Sequence, residues 1–164
     1  MNRHFDFIRQ AVVNLDGSIV KTMGDGVMCA FHQLDDALEA ALAVQEQVAD
    51  WCRAEHIDPP LVLKLGVHAG PVIAMTANDR LDYFGRTVNV AARLGDQSRG
   101  GDIVTLREVL DQASARDDVA VEHFTRRLRG LDSEQQLVRL TLSPSESPAR
   151  ETGKYDRLLE PAPG

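Results

Sequence analysis

The chain holds two cysteines, one tryptophan and two tyrosines in 164 residues. Two cysteines cannot build a disulfide framework, and Cys29 and Cys52 lack the spacing of a metal-binding pair. They read as buried thiols of a reducing compartment, so a cytoplasmic location is expected. No apolar run approaches the roughly 20 residues that a membrane span needs. The opening residues Met1 to Phe7 lack the apolar stretch of a secretory signal. Basic residues are also scarce: 18 Lys and Arg stand against 25 Asp and Glu, a net charge of -7. A general nucleic-acid binder would show a basic stripe, so nucleic acid is not an expected partner. What remains, 43% hydrophobic and 26% charged residues, suits one globular domain with a real core.

Residues 143–164 are polar and proline-rich, and read as a flexible tail that cannot offset its ordering entropy. The folded domain is then residues 1–142. Phe5, Ile8, Val12 and Leu15 recur at helical spacing, which predicts a helix over 3–14. Gly17 is the expected left-handed residue after it. Ser18–Met23 and Val27–Phe31 flank Gly24-Asp25-Gly26, and Asp25-Gly26 between two apolar runs signals a hairpin, because the tight turn needs positive φ. Asp35 or Asp36 is expected to cap a long helix, with Glu39 completing a capping box. That helix carries Leu38, Leu42, Val48 and Cys52 on one stripe and stops before Pro59-Pro60. Leu61–Val67 reads as a buried strand, Val72–Met75 as its resumption, and 76–80 as a loop. Thr87–Leu94 suits a helix packed by Val88, Ala91, Ala92 and Leu94. A strand at 103–106, a short helix at 107–113 and an antiparallel pair at 119–128 and 137–142 complete the domain. The fold class is α+β.

Three segments carry chemistry. Lys21-Thr22-Met23-Gly24-Asp25-Gly26 alone is a hairpin with a tight turn. Leu65-Gly66-Val67-His68-Ala69-Gly70-Pro71 alone is a strand and a turn, with His68 a satisfied structural histidine. Asp82-Tyr83-Phe84-Gly85-Arg86-Thr87-Val88-Asn89-Val90-Ala91-Ala92-Arg93 puts Asn89 and Arg93 four apart on one helix face. Each has an ordinary structural reading. In this order they resemble the catalytic domain of the class III adenylate and guanylate cyclases, bacterial soluble type. The resemblance runs over about residues 3 to 142, and takes in Gly100-Gly101-Asp102-Ile103-Val104 and Arg127-Leu128-Arg129-Gly130.

The resemblance implies a ferredoxin-like βαββαβ core, with a small C-terminal αβ subdomain. It implies formation of cyclic AMP and pyrophosphate from ATP, by attack of the ribose 3′-oxygen on the α-phosphorus. It further implies two Mg²⁺ or Mn²⁺ ions and a homodimer, or a pairing with another cyclase domain, with the sites between the two domains: one chain supplies the metal aspartates, the other the base-reading and transition-state residues. Position by position, Asp25 matches a metal ligand, Lys21 and Asp82 the purine-reading pair, and Asn89 the ribose-orienting residue. Arg93 matches the arginine that stabilises charge on the α-phosphoryl group, and Arg129 the triphosphate-binding position. An ammonium and a carboxylate suit the N1 acceptor and N6 donor of adenine, which favours ATP over GTP. The family's first strand, with an aromatic-x-Asp signature and a second metal aspartate, has no match. Phe5-Asp6-Phe7-Ile8 does not supply it: no glycine follows, and Asp6 falls in a helical pattern too close to Asp25. The chain as given is therefore expected to turn over weakly or not at all. The alternative is a non-catalytic cyclase-homology module that binds nucleotide or dimerises in signalling.

Overall fold

The computed structural model describes residues 3–77, 80–114 and 116–143, without the side chains of residues 77 and 80. The tail expected over 143–164 lies outside them except for Ser143, whose amide bonds to Asp118 O at 3.0 Å.

Helix α1 (Arg3–Val13) buries Phe7, Ile8, Ala11 and Val12. The left-handed residue that follows it is Asp16, at φ 54°, not Gly17. Gly17 is required for space instead. A Cβ there would lie 2.4 Å from the Phe31 ring. Strands β1 (Ser18–Met23) and β2 (Gly26–Ala30) form the expected antiparallel hairpin, and Met23 opposes Gly26 at its end. The two-residue loop is thus Gly24-Asp25, and the positive φ of 65° falls on Gly24. Glycine first in the loop is the pattern of a II′ hairpin turn. The pairing shifts by one between Ile19 and Lys21, a bulge immediately before Lys21. Bulges bend a strand and re-aim the side chain beside them.

Helix α2 (Leu34–Ala54) buries the expected Leu38, Leu42, Val48 and Cys52. The capping box does not form. Gln33 is the N-cap and gives no side-chain bond. Asp35 instead accepts from the Ser114 amide at 2.9 Å and from its hydroxyl at 2.6 Å, and Glu39 pairs with Arg116 at 2.7 Å. Both acids tie the helix to a distant loop. That outcompetes a local cap because each gains a donor the chain must otherwise leave to water.

Only the end of the expected 61–67 strand is regular, as β3 (Lys64–Gly66). Strands β4 (Ile73–Ala77) and β5 (Arg80–Phe84) pair up to Ala77 opposite Arg80, so most of the expected 76–80 loop is strand. Helix α3 (Arg86–Asp96) buries Val90 and Leu94. Ala92, expected in its core stripe, is exposed. Strand β6 (Asp102–Leu106), helix α4 (Arg107–Leu110), β7 (Val119–Arg127) and β8 (Glu134–Leu142) follow. The main sheet has the order β3-β6-β8-β7, parallel between β3 and β6 and antiparallel elsewhere. Among the described residues β1-β2 and β4-β5 are separate two-stranded ribbons.

The core gathers round this sheet. Every residue of β6 is buried. Leu38 and Leu42 of α2 pack on Ile103 and Leu140. Val90 and Leu94 of α3 pack with Val104, Leu106, Leu128, Leu131 and Leu137. Phe7 and Val12 of α1 meet Val44 and Val48 of α2, with Ile19 and Val27 of the hairpin packed against them.

Candidate active site

The site residues expected from the sequence fall on three pieces of this core, and the structure joins two of those residues directly, Lys21 and Asp82. The hairpin β1-β2 presents Lys21 and Asp25, the ribbon β4-β5 presents Asp82, and α3 presents Asn89 and Arg93. Lys21 Nζ donates to Asp82 Oδ2 at 2.8 Å, across 61 residues of sequence. The Tyr83 amide donates to the other oxygen, Oδ1, at 2.8 Å. The Lys21 hydrogen bond, aided by Tyr83 and outweighing partial burial, holds the Asp82 carboxyl below the usual carboxylate range. The Lys21 ammonium also sits 5.2 Å from the centre of the Phe84 ring, within reach of a cation–π attraction. Asp82 and Phe84 are two apart on one strand and share a face.

Asp25 stands exposed in the Gly24-Asp25 loop. Among the described residues no group of three or more His, Cys, Asp or Glu could hold a metal ion. Asp25 alone is still the right chemistry for a hard cation. Mg²⁺ takes carboxylate oxygen and is commonly held by one or two carboxylates, with waters and substrate phosphates completing the shell.

Arg93 is placed by packing that the sequence pattern does not advertise. A Cβ on Gly130 would lie 2.8 Å from Arg93 Nη1, so the guanidinium rests directly on that glycine. Gly130 has φ 78°. It lies in a turn closed by Leu131 N to Leu128 O at 3.0 Å, and both leucines are buried in the cluster that holds Leu94. One core cluster therefore locks α3 and the Arg129-Gly130 turn together. Arg129 itself is exposed, with no ion pair among the described residues. Asn89 is also exposed, and its backbone N–H donates to Gly85 O in the first turn of α3 at 3.3 Å.

The His68–Pro71 segment braces the start of the same helix. Thr87 Oγ1 donates to Pro71 O at 2.6 Å, and a Cβ on Gly70 would crowd Thr87 Oγ1 at 2.8 Å. His68 is not the satisfied histidine expected: its Nδ1 is buried without a partner. Burial holds its pKa below 6.5; Glu108 opposes this and Arg86 adds to it.

Residues 1–133 match the family described as the adenylate and guanylate cyclase catalytic domain. The chain belongs to that family. The adenylate cyclase of Mycosarcoma maydis is 32% identical over 131 residues, covering 68% of this chain and 5% of that protein. A putative adenylate cyclase 3 of Rhizobium meliloti is 31% identical over 103 residues, covering 63% of this chain and 17% of that protein. The chain thus spans less than a fifth of these two curated relatives. Among solved structures, an adenylate/guanylate cyclase/hydrolase from Silicibacter pomeroyi superposes with a TM-score of 0.72 at 24% identity, over 85% of this chain and 83% of that one. The adenylyl cyclase CyaB from P. aeruginosa gives 0.71 at 22% identity, over 90% and 83%. These likenesses show the fold: the α+β architecture is that of a cyclase catalytic core. No helix of this cyclase domain, among the described residues, is long and apolar enough to cross a membrane.

Proposed function

We propose that the chain is an adenylate-type cyclase domain, forming cyclic AMP and pyrophosphate from ATP. The observation that carries this reading is the Lys21–Asp82 pair at 2.8 Å, joining the hairpin that bears Asp25 to the strand that leads into α3. An ammonium has three donors and no acceptor, and an ionised carboxylate only accepts. One donor of Lys21 is spent on Asp82, which leaves two for adenine N1. The Asp82 carboxylate accepts from N6. Guanine presents N–H donors where Lys21 stands and is disfavoured.

The reaction closes the bond between O3′ and the α-phosphorus and opens the bond to the bridging oxygen, releasing pyrophosphate while the 3′-hydroxyl proton passes to solvent. Asn89 orients the ribose from the exposed face of α3. Arg93, on the same face and backed by Gly130, faces the charge that develops on the α-phosphoryl group. Preorganised donors of this kind typically contribute a factor of about 10²–10³ in rate. Arg129 binds the triphosphate. Asp25 would hold Mg²⁺ or Mn²⁺, which when bound supplies charge neutralisation at the phosphates.

The working form is a pair of cyclase domains, a homodimer in the simplest case. Ile73, Met75 and Phe84 lie on the ribbon face that bears Asp82, and they are 63%, 54% and 44% exposed. A contiguous apolar face of this kind is the mark of a protein–protein surface. It supports a second domain closing over the base-reading pair.

The test is cyclic AMP formation from ATP with Mn²⁺, read by chromatography. Slow turnover is expected, abolished by Asp25→Ala and lowered at least 100-fold by Arg93→Ala. Turnover unchanged in both variants overturns the reading. The single carboxylate at the turn favours a second reading, a non-catalytic nucleotide-binding module. ATP binding with no product under any divalent metal selects it.

A further inference from the structure

A cavity of about 240 Å³ lies beyond the C-terminal end of α3, lined by Gln97, Arg99, Phe124, Thr125, Arg126 and Arg139. Three of its six lining residues are arginine, in a chain whose net charge is -7.

Arg139 is built into the sheet. Its side chain is 7% exposed. Nε donates to Asp102 Oδ2 at 2.5 Å, Nη2 donates to Gln97 O at 3.0 Å, and the guanidinium lies 4.5 Å from the Phe124 ring centre. Nη1 is buried with no hydrogen-bond partner. Glu122 Oε2 is 3.2 Å from it, close enough for charge attraction but not aligned for a hydrogen bond. The same carboxylate meets both Nη atoms of Arg99 at 3.2 Å. These contacts are long for a charge-assisted pair, which normally closes to about 2.7–2.9 Å. Arg126 is exposed and forms no ion pair among the described residues.

The charges do not balance. Asp102 is committed elsewhere: it accepts from Ser98 Oγ and from the Arg99 and Gly100 amides as well as from Arg139. Burial opposes its ionisation most strongly, yet these four bonds together hold its pKa below the usual value. It neutralises Arg139. Glu122 loosely spans Arg99 and that same Arg139, and Arg126 is left over. Three cations therefore face two anions, around a cavity with one buried donor still open.

We propose that this cavity is a binding site for a phosphate group, distinct from the proposed cyclase site. Guanidinium forks match the geometry of phosphate oxygens and pair with them two bonds at a time. The incoming dianion displaces the exposed Glu122 carboxylate and takes its place between Arg99 and Arg139. Arg126 supplies the third cation. Glu122 marks the position: an oxyanion already sits there, held poorly.

The experiment is thermal unfolding of the full chain with inorganic phosphate, against sodium chloride of equal ionic strength. Saturable binding at tenfold over Kd raises the Tm by about 5 °C. Arg126→Gln or Arg99→Gln, both at exposed positions, removes the shift; Glu122→Gln strengthens binding, because the competing carboxylate is gone. The shift persists in Arg93→Ala. No shift with phosphate overturns the proposal, as does a shift that survives Arg126→Gln. A shift lost in Arg93→Ala but kept in Arg126→Gln assigns the phosphate to the cyclase site and also overturns it. Glycerol phosphate separates the two sources: an equal shift means the cavity accepts a phosphate ester, and a shift with inorganic phosphate alone restricts it to the free ion.

Discussion

Gly66 and Gly95 touch where α3 crosses β3, and replacing each with alanine should have opposite outcomes. A Cβ on Gly66 would lie 2.3 Å from Gly95 N, 2.4 Å from Ala91 O and 3.0 Å from Gly95 Cα. All three atoms are backbone, so no rotamer change relieves the clash. The helix must move away from the strand. Overpacking in a core costs about 1–3 kcal/mol where side chains can adjust. Here they cannot, so Gly66→Ala is expected to cost about 3 kcal/mol or more, a fall in Tm of about 10 °C. A Cβ on Gly95 meets only Gly66 N, at an ordinary 3.6 Å. Alanine inside a helix is also favoured over glycine by about 1 kcal/mol, so Gly95→Ala should be neutral or stabilising. Urea unfolding of both variants measures this directly. The consequence for function is specific, because α3 carries Asn89 and Arg93: Gly66→Ala should also weaken catalysis under conditions where the chain remains folded. Equal and small effects of the two substitutions, under about 1 kcal/mol each, would refute the close approach of α3 to β3.

Four further outcomes follow from the same geometry. Lys21→Glu combined with Asp82→Cys should shift base preference from ATP toward GTP, read as relative rates of cyclic AMP and cyclic GMP formation; an unchanged ratio in an active chain counts against the pairing. Arg139→Met leaves Asp102 buried without its cation and should destabilise by about 3–5 kcal/mol in urea, since the two side chains are only 7% and 4% exposed. Leu94→Ala, at a fully buried position, should cost about 2–5 kcal/mol. The pKa of His68 is lower folded than its unfolded value of 6.5. Protonation therefore favours the unfolded chain: stability is full above pH 6.5 and declines as pH falls from there through the folded pKa. His68→Gln should flatten that part of the Tm profile, and a profile unaltered by the substitution would show that the histidine is not the group responsible.

What could be read from the sequence divides along the range of the interactions. Helix stripes and the hairpin were legible because their signals are local: Leu38, Leu42, Val48 and Cys52 are buried as periodicity predicts. The local rules failed where a distant partner competed. Asp35 has the residue type and place of a cap, but Ser114 offers it two donors. Asp16 took the left-handed conformation expected of Gly17, and Gly17 is needed for a different reason, the Phe31 ring that fills the space a Cβ would occupy. The turn slid by one residue, and with it the glycine that mattered became Gly24.

The same division runs through the candidate site. Asn89 and Arg93 share a helix face by spacing alone, and Lys21 and Asp82 are of matching chemistry; but nothing in 61 intervening residues says that the two meet at 2.8 Å. That contact needs the bulge before Lys21 and the β5 strand, where no strand is expected from the sequence. Gly130 is the sharper case. In sequence it is the last residue of a short motif. In the fold it is the floor under Arg93, and its missing side chain is what allows the guanidinium its place. A substitution there is strained twice, by φ 78° and by the displaced arginine. Gly130→Ala should therefore impair turnover more than stability, because the clash falls on the flexible end of Arg93 rather than on backbone. Gly66→Ala should impair both.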